Sequence, residues 1–417
     1  MNIGYACLTV GVPHTDQRSC TLKYANQEKL LELISHNLSS LENIIDYNIK
    51  NNIRLFRISS DLVPFGSSPA NDLEWWNIFD SQLSRVGHKI SNNGIRVSMH
   101  PGQYTVLNSQ RREVVEKAIE DLRYHTRVLD SLGVGDEHKI VLHIGGFYND
   151  KSSSKERFMR NYHELDDAVK RRLVIENDDK SYNISDVLEI GHIINVPVVF
   201  DNLHHHVNPC AESRDDYYWI SRCQETWKNK DGLQKIHYSQ QDPLKKPGSH
   251  SSSIQIDEFM SFYDGLKRDD IDIMLEVKDK NLSAVKCINC TSSAKSIGTL
   301  EVEWSRYKYK VLENSPADYL AIRQLLKNKA DYPVIKFYYL IENAMKEENT
   351  VGNSINAALH VWGYFKDQAT DRETSIFLNN VKKYGQGETS LKTLKNDLWK
   401  MTVKYNQPYL LKSYYFI

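Results

Sequence analysis

Eight short runs rich in β-branched residues recur through the first two-thirds of the chain. They are Ile3–Cys7, Ile53–Ser59, Ile95–His100, Lys139–Ile144, Leu173–Asn177, Val196–Asp201, Lys235–Ser239 and Ile271–Glu276. Between them lie longer stretches with apolar residues at three- and four-residue spacing, such as Asn26–Asn51 and Val114–Leu132, punctuated by Gly87, Gly94, Gly133 and Gly191. Runs of the first kind read as buried strands and stretches of the second as amphipathic helices. Strict alternation predicts a parallel α/β fold, and eight repeats fit a closed (β/α)₈ TIM barrel. A doubly wound open sheet is the rival, but no GxGxxG follows the first strand.

The 417 residues leave room for more than a barrel. After Lys280 the pattern changes. Residues 281–298 are polar and read as a linker, and residues 299–417 read as a mostly α-helical domain rich in Tyr and Lys. The expected organisation is a barrel over 1–280, the linker, and the helical extension. From Glu301 onward 17 Lys+Arg stand against 13 Asp+Glu, although the whole chain carries a net charge of −1. That balance argues against holding nucleic acid by bulk charge alone. It does not exclude DNA, because a carboxylate-rich metal site counts as acidic in a sequence and is far less so once metallated. With 40% hydrophobic and 26% charged residues the chain has an ordinary globular composition.

Six scattered cysteines do not make a disulfide framework, and the lone CxxC of Cys287 and Cys290 lacks a second pair at zinc spacing. It reads as two incidental thiols. The start, MNIGYACLTVGV, has no basic region before an apolar run, and no later stretch is apolar enough to span a bilayer. A cytoplasmic monomer with no membrane partner and no organic cofactor is the expectation.

The chemistry sits at the strand ends. His100, Asp201 and Glu276 close their runs, His143 and Glu176 lie one residue from the ends of theirs, and His237 lies in the seventh. In a barrel the carboxyl ends of the strands converge on one face. A strand buried on both sides should be nearly all apolar, and gathering carboxylates in it is unfavourable unless cations compensate. Any one of these residues has a plain structural explanation, such as a hydrogen-bonded histidine or a Glu paired with a Lys. All of those explanations must hold together to account for the set. The mixed His/carboxylate donors suit Mn²⁺, Zn²⁺ or Fe²⁺ better than Ca²⁺ or Mg²⁺. Two loops add donors: His204 in DNLHHH and His250 in KKPGSH. Neighbours on a loop cannot all face one ion, so His205 and His206 are assigned to the surroundings or to solvent. Lys235 shares the face of His237 by strand alternation, either as an ion-pair partner or as a chemically modified ligand.

The segments MHPGQY (99–104), LHIGG (142–146), IENDD (175–179), DNLHH (201–205), HYSQQDP (237–243), KKPGSH (245–250) and MLEVKDK (274–280) resemble the UV damage endonuclease family, a relative of endonuclease IV. The likeness runs from Met1 to about Lys280. It implies a DNA repair enzyme that cuts double-stranded DNA immediately 5′ to UV photoproducts, both cyclobutane dimers and 6-4 photoproducts, leaving a 3′-hydroxyl and a 5′-phosphate. It implies three divalent metals, usually manganese, with zinc or magnesium as alternatives. His100 and His143 would hold one, with Glu176 bridging to a second completed by Asp201, His237 and Glu276; His204 and His250 would hold the third. Endonuclease IV has an Asp two residues before the last His, where this chain has Gly248, and a carboxylated Lys235 is the family's substitute. The resemblance gives Glu176, Lys235 and His237 catalytic roles, makes Gln103 and Tyr104 the pair that probes the duplex, and sets Tyr5 against the lesion. Lys245 and Lys246 are candidate phosphate contacts. Ser68 stands where relatives often carry His. RYKYKVLENSPADY (306–319) and ALHVWGYFKDQ (358–368) resemble a helical domain of unknown function in other bacterial proteins, which is either a plain bundle or a nucleic-acid contact surface. The competing readings are an abasic-site endonuclease, a metal-dependent sugar isomerase, and a damage sensor that binds without cutting. The HPGQY loop and the ligand count argue against the isomerase, and the number of carboxylates argues against the sensor.

Overall fold

The β-branched runs pair as eight parallel strands in a computed structural model that describes residues 1–417. They are β1 (Ile3–Ala6), β2 (Leu55–Arg57), β3 (Arg96–Ser98), β4 (Ile140–His143), β5 (Leu173–Glu176), β6 (Val198–Asp201), β7 (Gln234–Tyr238) and β8 (Ile271–Leu275). Their order is β3-β2-β1-β8-β7-β6-β5-β4. A parallel bridge between Met99 and Ile140 joins the two ends, through Met99 N–H to the Lys139 carbonyl at 3.0 Å and Val141 N–H to the Met99 carbonyl at 2.9 Å. The sheet thus closes into the expected barrel. Seven principal helices follow the strands: α1 (Gln27–Lys50), α2 (Asp80–Asn92), α3 (Arg112–Ser131), α4 (Lys151–His163), α5 (Ile184–Ile194), α6 (Asp216–Gln224) and α7 (Ile256–Leu266). In α1 the spacing of Leu30, Leu33, Ile34, Leu38, Leu41 and Ile45 gives one apolar stripe, all of it buried, and Asn26 caps the start by accepting the Lys29 amide.

The barrel interior is layered by strand alternation. Ala6, Leu55 and Met274 form one apolar cluster and Val141, Val174 and Val199 another. Nearer the amino ends, buried charges pair: Arg96 with Asp272 at 3.0 Å and Lys139 with Asp231 at 2.6 Å. Beside them the Val97 amide donates to Nδ1 of buried His138 at 2.9 Å, so an imidazole serves as acceptor where β3 begins. The polar floor and apolar middle leave the carboxyl mouth as the place where unpaired ligand-type residues gather.

Most of the segment 281–298 is helical, with a short, mostly exposed stretch at 292–296. Residues Asn281–Thr291 form helix α8, and the next helix starts at Ile297. Its polar side chains are buried because they satisfy backbone groups: Ser283 Oγ accepts the Ile254 amide at 3.0 Å, and Lys286 donates to Ser253 Oγ at 3.1 Å and to the Ile254 carbonyl. Cys287 is fully buried within this helix. The chain divides into two compact units. One comprises 1–9, 13–254 and 261–288; the other comprises 10–12, 255–260 and 289–417. The second unit contains six further helices, Ile297–Asn314, Pro316–Leu325, Val334–Lys346, Val351–Trp362, Asp371–Gly385 and Leu391–Lys404. Its core includes Leu312, Ala357, Val361, Phe365, Phe377, Leu394 and Leu398. No helix of the chain is long and apolar enough to cross a membrane.

Burial pushes the His138 imidazole down to about 4 from its usual 6.5, against the opposing pull of Glu137. The unfolded chain therefore binds more protons than the native one between those values, so stability rises with pH there and is lost as pH falls from 6.5 to 4. The full effect is about 3 kcal/mol. Urea midpoints measured across that window should fall with acid in the parent, and His138→Gln, which keeps an acceptor for Val97, should show a flatter dependence.

Candidate metal centre

Each donor reaches the mouth for a local reason. Glu176 ends β5 and is fully buried, with Oε2 3.0 Å from His100 Nε2 and Oε1 2.7 Å from His237 Nδ1. His143, at the end of β4, places Nε2 3.7 Å from Glu176 Oε2, and its buried Nδ1 has no hydrogen-bond partner. Asp201 ends β6 and caps the short helix Asn202–Val207: Oδ1 accepts the His204 amide at 2.8 Å, while Oδ2 is buried and unpartnered. Asn177 brackets Asp201, donating Nδ2 to its carbonyl at 3.0 Å and accepting its amide at 2.9 Å. The Asn177 carbonyl also accepts Nδ1–H of His204 at 2.9 Å. In the neutral imidazole that bond leaves Nε2 as the free donor atom, an arrangement typical of metal-binding histidines.

Glu276 follows β8 and approaches His237 Nδ1 at 3.3 Å and His250 Nε2 at 3.8 Å. His250 enters from the loop after β7, held by its antiparallel bridge to Gln241. Two overlapping sets, His100–His143–Glu176 and Glu176–Asp201–His237, each bring their ligand atoms within 4.8 Å of one another. Eight of the nine residues singled out as metal ligands are therefore linked into one cluster by these contacts. Lys235 is the ninth. It is fully buried one alternation below His237, and its Nζ has no hydrogen-bond partner.

The carboxylates of the site diverge: burial opposes the charge on Glu176, yet His237 and His143 hold its carboxyl well below the ordinary range. Burial, reinforced by Glu176 and Glu276, pushes the Asp201 carboxyl above its ordinary range. Burial works against a charged His204, but Asp201 and Glu176 outweigh it and lift the imidazole to about 9. His143 is pushed the other way, to about 4, by burial. Buried carboxylates in this number, with free oxygen and imidazole nitrogen atoms turned toward one another, fit divalent cations. The unpartnered Asp201 Oδ2 and His237 Nε2 are the atoms that test that fit, and both are chemically suited to a metal.

Arg57 closes β2 and stands at the same mouth, a strand-end position like those of the acids and histidines. Arg57 donates Nη1 to Glu276 Oε1 at 2.5 Å, with both side chains about one-tenth exposed. Burial opposes the charge on Glu276, yet Arg57 and then His237 hold its carboxyl well below the usual range. His205 packs against Phe200 and Trp219, and exposed His206 lies 3.2 Å from Asp216. Gln103 and Tyr104 are exposed on the loop after β3, Tyr104 at 68%. Beside His143 and His204 a cleft of about 380 Å³ opens, lined also by Gln103, Gly146 and Asp178. Lys245 is exposed and pairs with Asp242 at 3.1 Å, and Lys246 is exposed. Ser68 lies in a turn, its Oγ accepting the Ala70 amide. Tyr5 departs from expectation. It is fully buried, its hydroxyl donates to Asn48 Oδ1 of α1 at 2.8 Å, and its ring meets Phe56 edge-on. Alternation along β1 turns it to the helix layer, away from the mouth.

A (β/α)₈ barrel with a histidine–carboxylate cluster at its carboxyl mouth is the class of protein that these coordinates define. Residues 1–305 match the family described as UV-endonuclease UvdE, and the chain belongs to that family. Residues 308–417 match a protein of unknown function family, DUF1722. A UV DNA damage endonuclease of Clostridium perfringens (strain 13 / Type A) is 41% identical over 405 residues, 94% of this chain and 96% of its own length. One from Bacillus cereus (strain Q1) is 32% identical over 287 residues, 68% of this chain and 90% of its own. The crystal structure of SacUVDE superposes with a TM-score of 0.66 at 39% identity, covering 70% of this chain and 97% of that one.

Removing Arg57 strips the one guanidinium from beside Glu276. Arg57→Met should destabilise the metal-free protein by about 3 kcal/mol, since a buried carboxylate is left uncompensated. Excess Mn²⁺ should recover part of that loss, because a ligand bound only by the native state stabilises it. Thermal melts of parent and variant in chelator and in Mn²⁺ measure both effects.

Proposed function

We propose that the chain is a DNA repair endonuclease for UV damage that incises the duplex immediately 5′ to the photoproduct by metal-assisted hydrolysis, leaving a 3′-hydroxyl and a 5′-phosphate. Membership of the UV-endonuclease family supports the repair endonuclease. The observation that carries the metal reading is Glu176, whose two oxygens face different imidazoles and belong to both donor sets. A carboxylate so placed is suited to bridge two ions.

His100 and His143 would hold a first ion with Glu176, and Asp201, His237 and Glu276 would hold a second with it. His204 and His250 would take a third, and a carboxylated Lys235 would supply a shared anionic oxygen. Its buried, unpartnered Nζ is the feature that favours this modification. Bound cations, Mn²⁺ being the best match to this donor set, would supply Lewis acidity toward a phosphodiester. The protein's own contribution is positional. The Asn177 carbonyl orients His204, the Pro101 carbonyl lies 3.1 Å from His100 Nδ1, and Arg57 keeps Glu276 ionised. Gln103 and Tyr104, exposed on the loop after β3, would fill the gap left by an extruded lesion, whose poor stacking lowers the unstacking cost. Lys245 and Lys246 would meet phosphates of the same duplex.

Purified protein with Mn²⁺ should nick a duplex carrying one thymine dimer, and gel analysis beside a sequence ladder reads the position and the end groups. Chelation should abolish nicking, and an abasic duplex should be cut more slowly. Glu176→Gln should lower the rate on the order of 10³-fold or more, with lesion binding retained. Absence of nicking with every divalent metal tried would overturn the proposal. Loss of binding together with cutting in Glu176→Gln would mark the centre as structural.

A further inference from the structure

Leu244 is 93% exposed, more than any other large apolar side chain in the molecule. It stands at the tip of the loop that leaves β7 and returns through His250 to the metal centre. Pro243, Lys245, Lys246 and Pro247 around it are exposed as well. A leucine left in water on a mobile loop would need no explanation, but this loop is braced. Asp242 N–H donates to the Ser249 carbonyl at 2.7 Å, and Ser249 N–H to that of Lys246 at 3.1 Å. Gln241 stitches the loop from within, accepting Gly248 N–H at 2.8 Å and donating to the Lys246 carbonyl at 3.1 Å. The amide of Leu244 itself is pinned to Asp242 Oδ1 at 3.1 Å, and that carboxylate is clamped by Lys278 at 3.0 Å and Lys245 at 3.1 Å.

We infer that Leu244 is a wedge that enters the base stack of bound DNA, on the side of the mouth opposite Gln103 and Tyr104; this rests on the DNA reading above. The strand order supplies the geometry. Counting around the closed sheet in either direction, β7 lies four strands from β3, so the two loops face each other across the metal centre. Tyr104, at 68%, is the next most exposed large hydrophobic side chain. The two most exposed large hydrophobic side chains thus stand on opposite loops of one mouth. A single leucine bounded by prolines and lysines is too small for a protein-docking patch, which needs a contiguous apolar surface. It matches one base step, where architectural proteins insert Leu, Ile or Phe to unstack and kink a duplex. The two lysines that follow it, Lys245 and Lys246, suit the phosphates beside such a step, and a tip fixed before binding has little conformational entropy left to lose.

Stopped-flow fluorescence of a duplex carrying a thymine dimer and 2-aminopurine beside it tests the inference in Mn²⁺, with nicked product read from the same mixtures. The parent should give a fluorescence rise that precedes the nick. Leu244→Ala should reduce that rise and raise the protein concentration for half-maximal nicking about tenfold, with an unchanged melting temperature, and Leu244→Met should restore both. A rise and half-maximal concentration in Leu244→Ala within twofold of the parent overturn the wedge while the nuclease stands. A parent that neither raises the signal nor nicks overturns the DNA reading and the wedge with it.

Discussion

The mouth of the barrel gathers three largely buried carboxylates, Glu176, Asp201 and Glu276, among imidazoles and the Arg57 guanidinium. Glu176 and Asp201 are wholly buried and Glu276 nearly so, and all three meet around His237. Much of the surrounding structure serves to make that burial tolerable. Arg57 answers Glu276, two imidazoles answer Glu176, and the amide of His204 answers one oxygen of Asp201. What is left over is a set of atoms with lone pairs and no protein partner, which is the electronic requirement for holding cations. The fold and the chemistry are thus two sides of one constraint: strands that converge bring their ends together whether or not the charges there agree.

Most of this was legible from residue order. Each of the eight strands lies within a residue or two of its sequence-based bounds, because a parallel strand buried on both faces has a distinctive apolar run. Convergence of the strand ends follows from barrel geometry alone, so His100, His143, Glu176, Asp201, His237 and Glu276 needed no further clue. Two failures are instructive. Ser283 and Lys286 read as linker residues by composition, although their hydroxyl and amino groups close the backbone of Ile254, far earlier in the chain. Tyr5 was assigned to the mouth by resemblance, although alternation along a four-residue strand turns it into the helix layer. Arg57 carries no such signal, because a guanidinium is no ligand for a cation and its partner Glu276 is distant in sequence. The bracing of the 241–250 loop depends on side-chain-to-backbone bonds that no periodicity announces.

The helical extension has its own core and its own polar solution. Glu313, wholly buried, pairs with Lys395 at 2.6 Å, and Tyr364 stacks on Tyr409 with centroids 5.6 Å apart. The Clostridium perfringens relative aligns almost end to end with this chain, extension included, whereas the Bacillus cereus relative places nine-tenths of its length on 287 residues. The extension is therefore shared by some members of the family and is not needed to match the barrel.

One small feature has a kinetic meaning. The turn after β6 delivers Asp201 and His204 from a single capped helix, with the carboxylate holding the backbone of the histidine and the Asn177 carbonyl holding its ring. Two donor groups therefore arrive as one rigid unit whose spacing is settled when six residues coil, not when an ion is captured. An ion taken up at that corner would dock onto a finished receptor, with little rearrangement on binding and, by microscopic reversibility, as little on release.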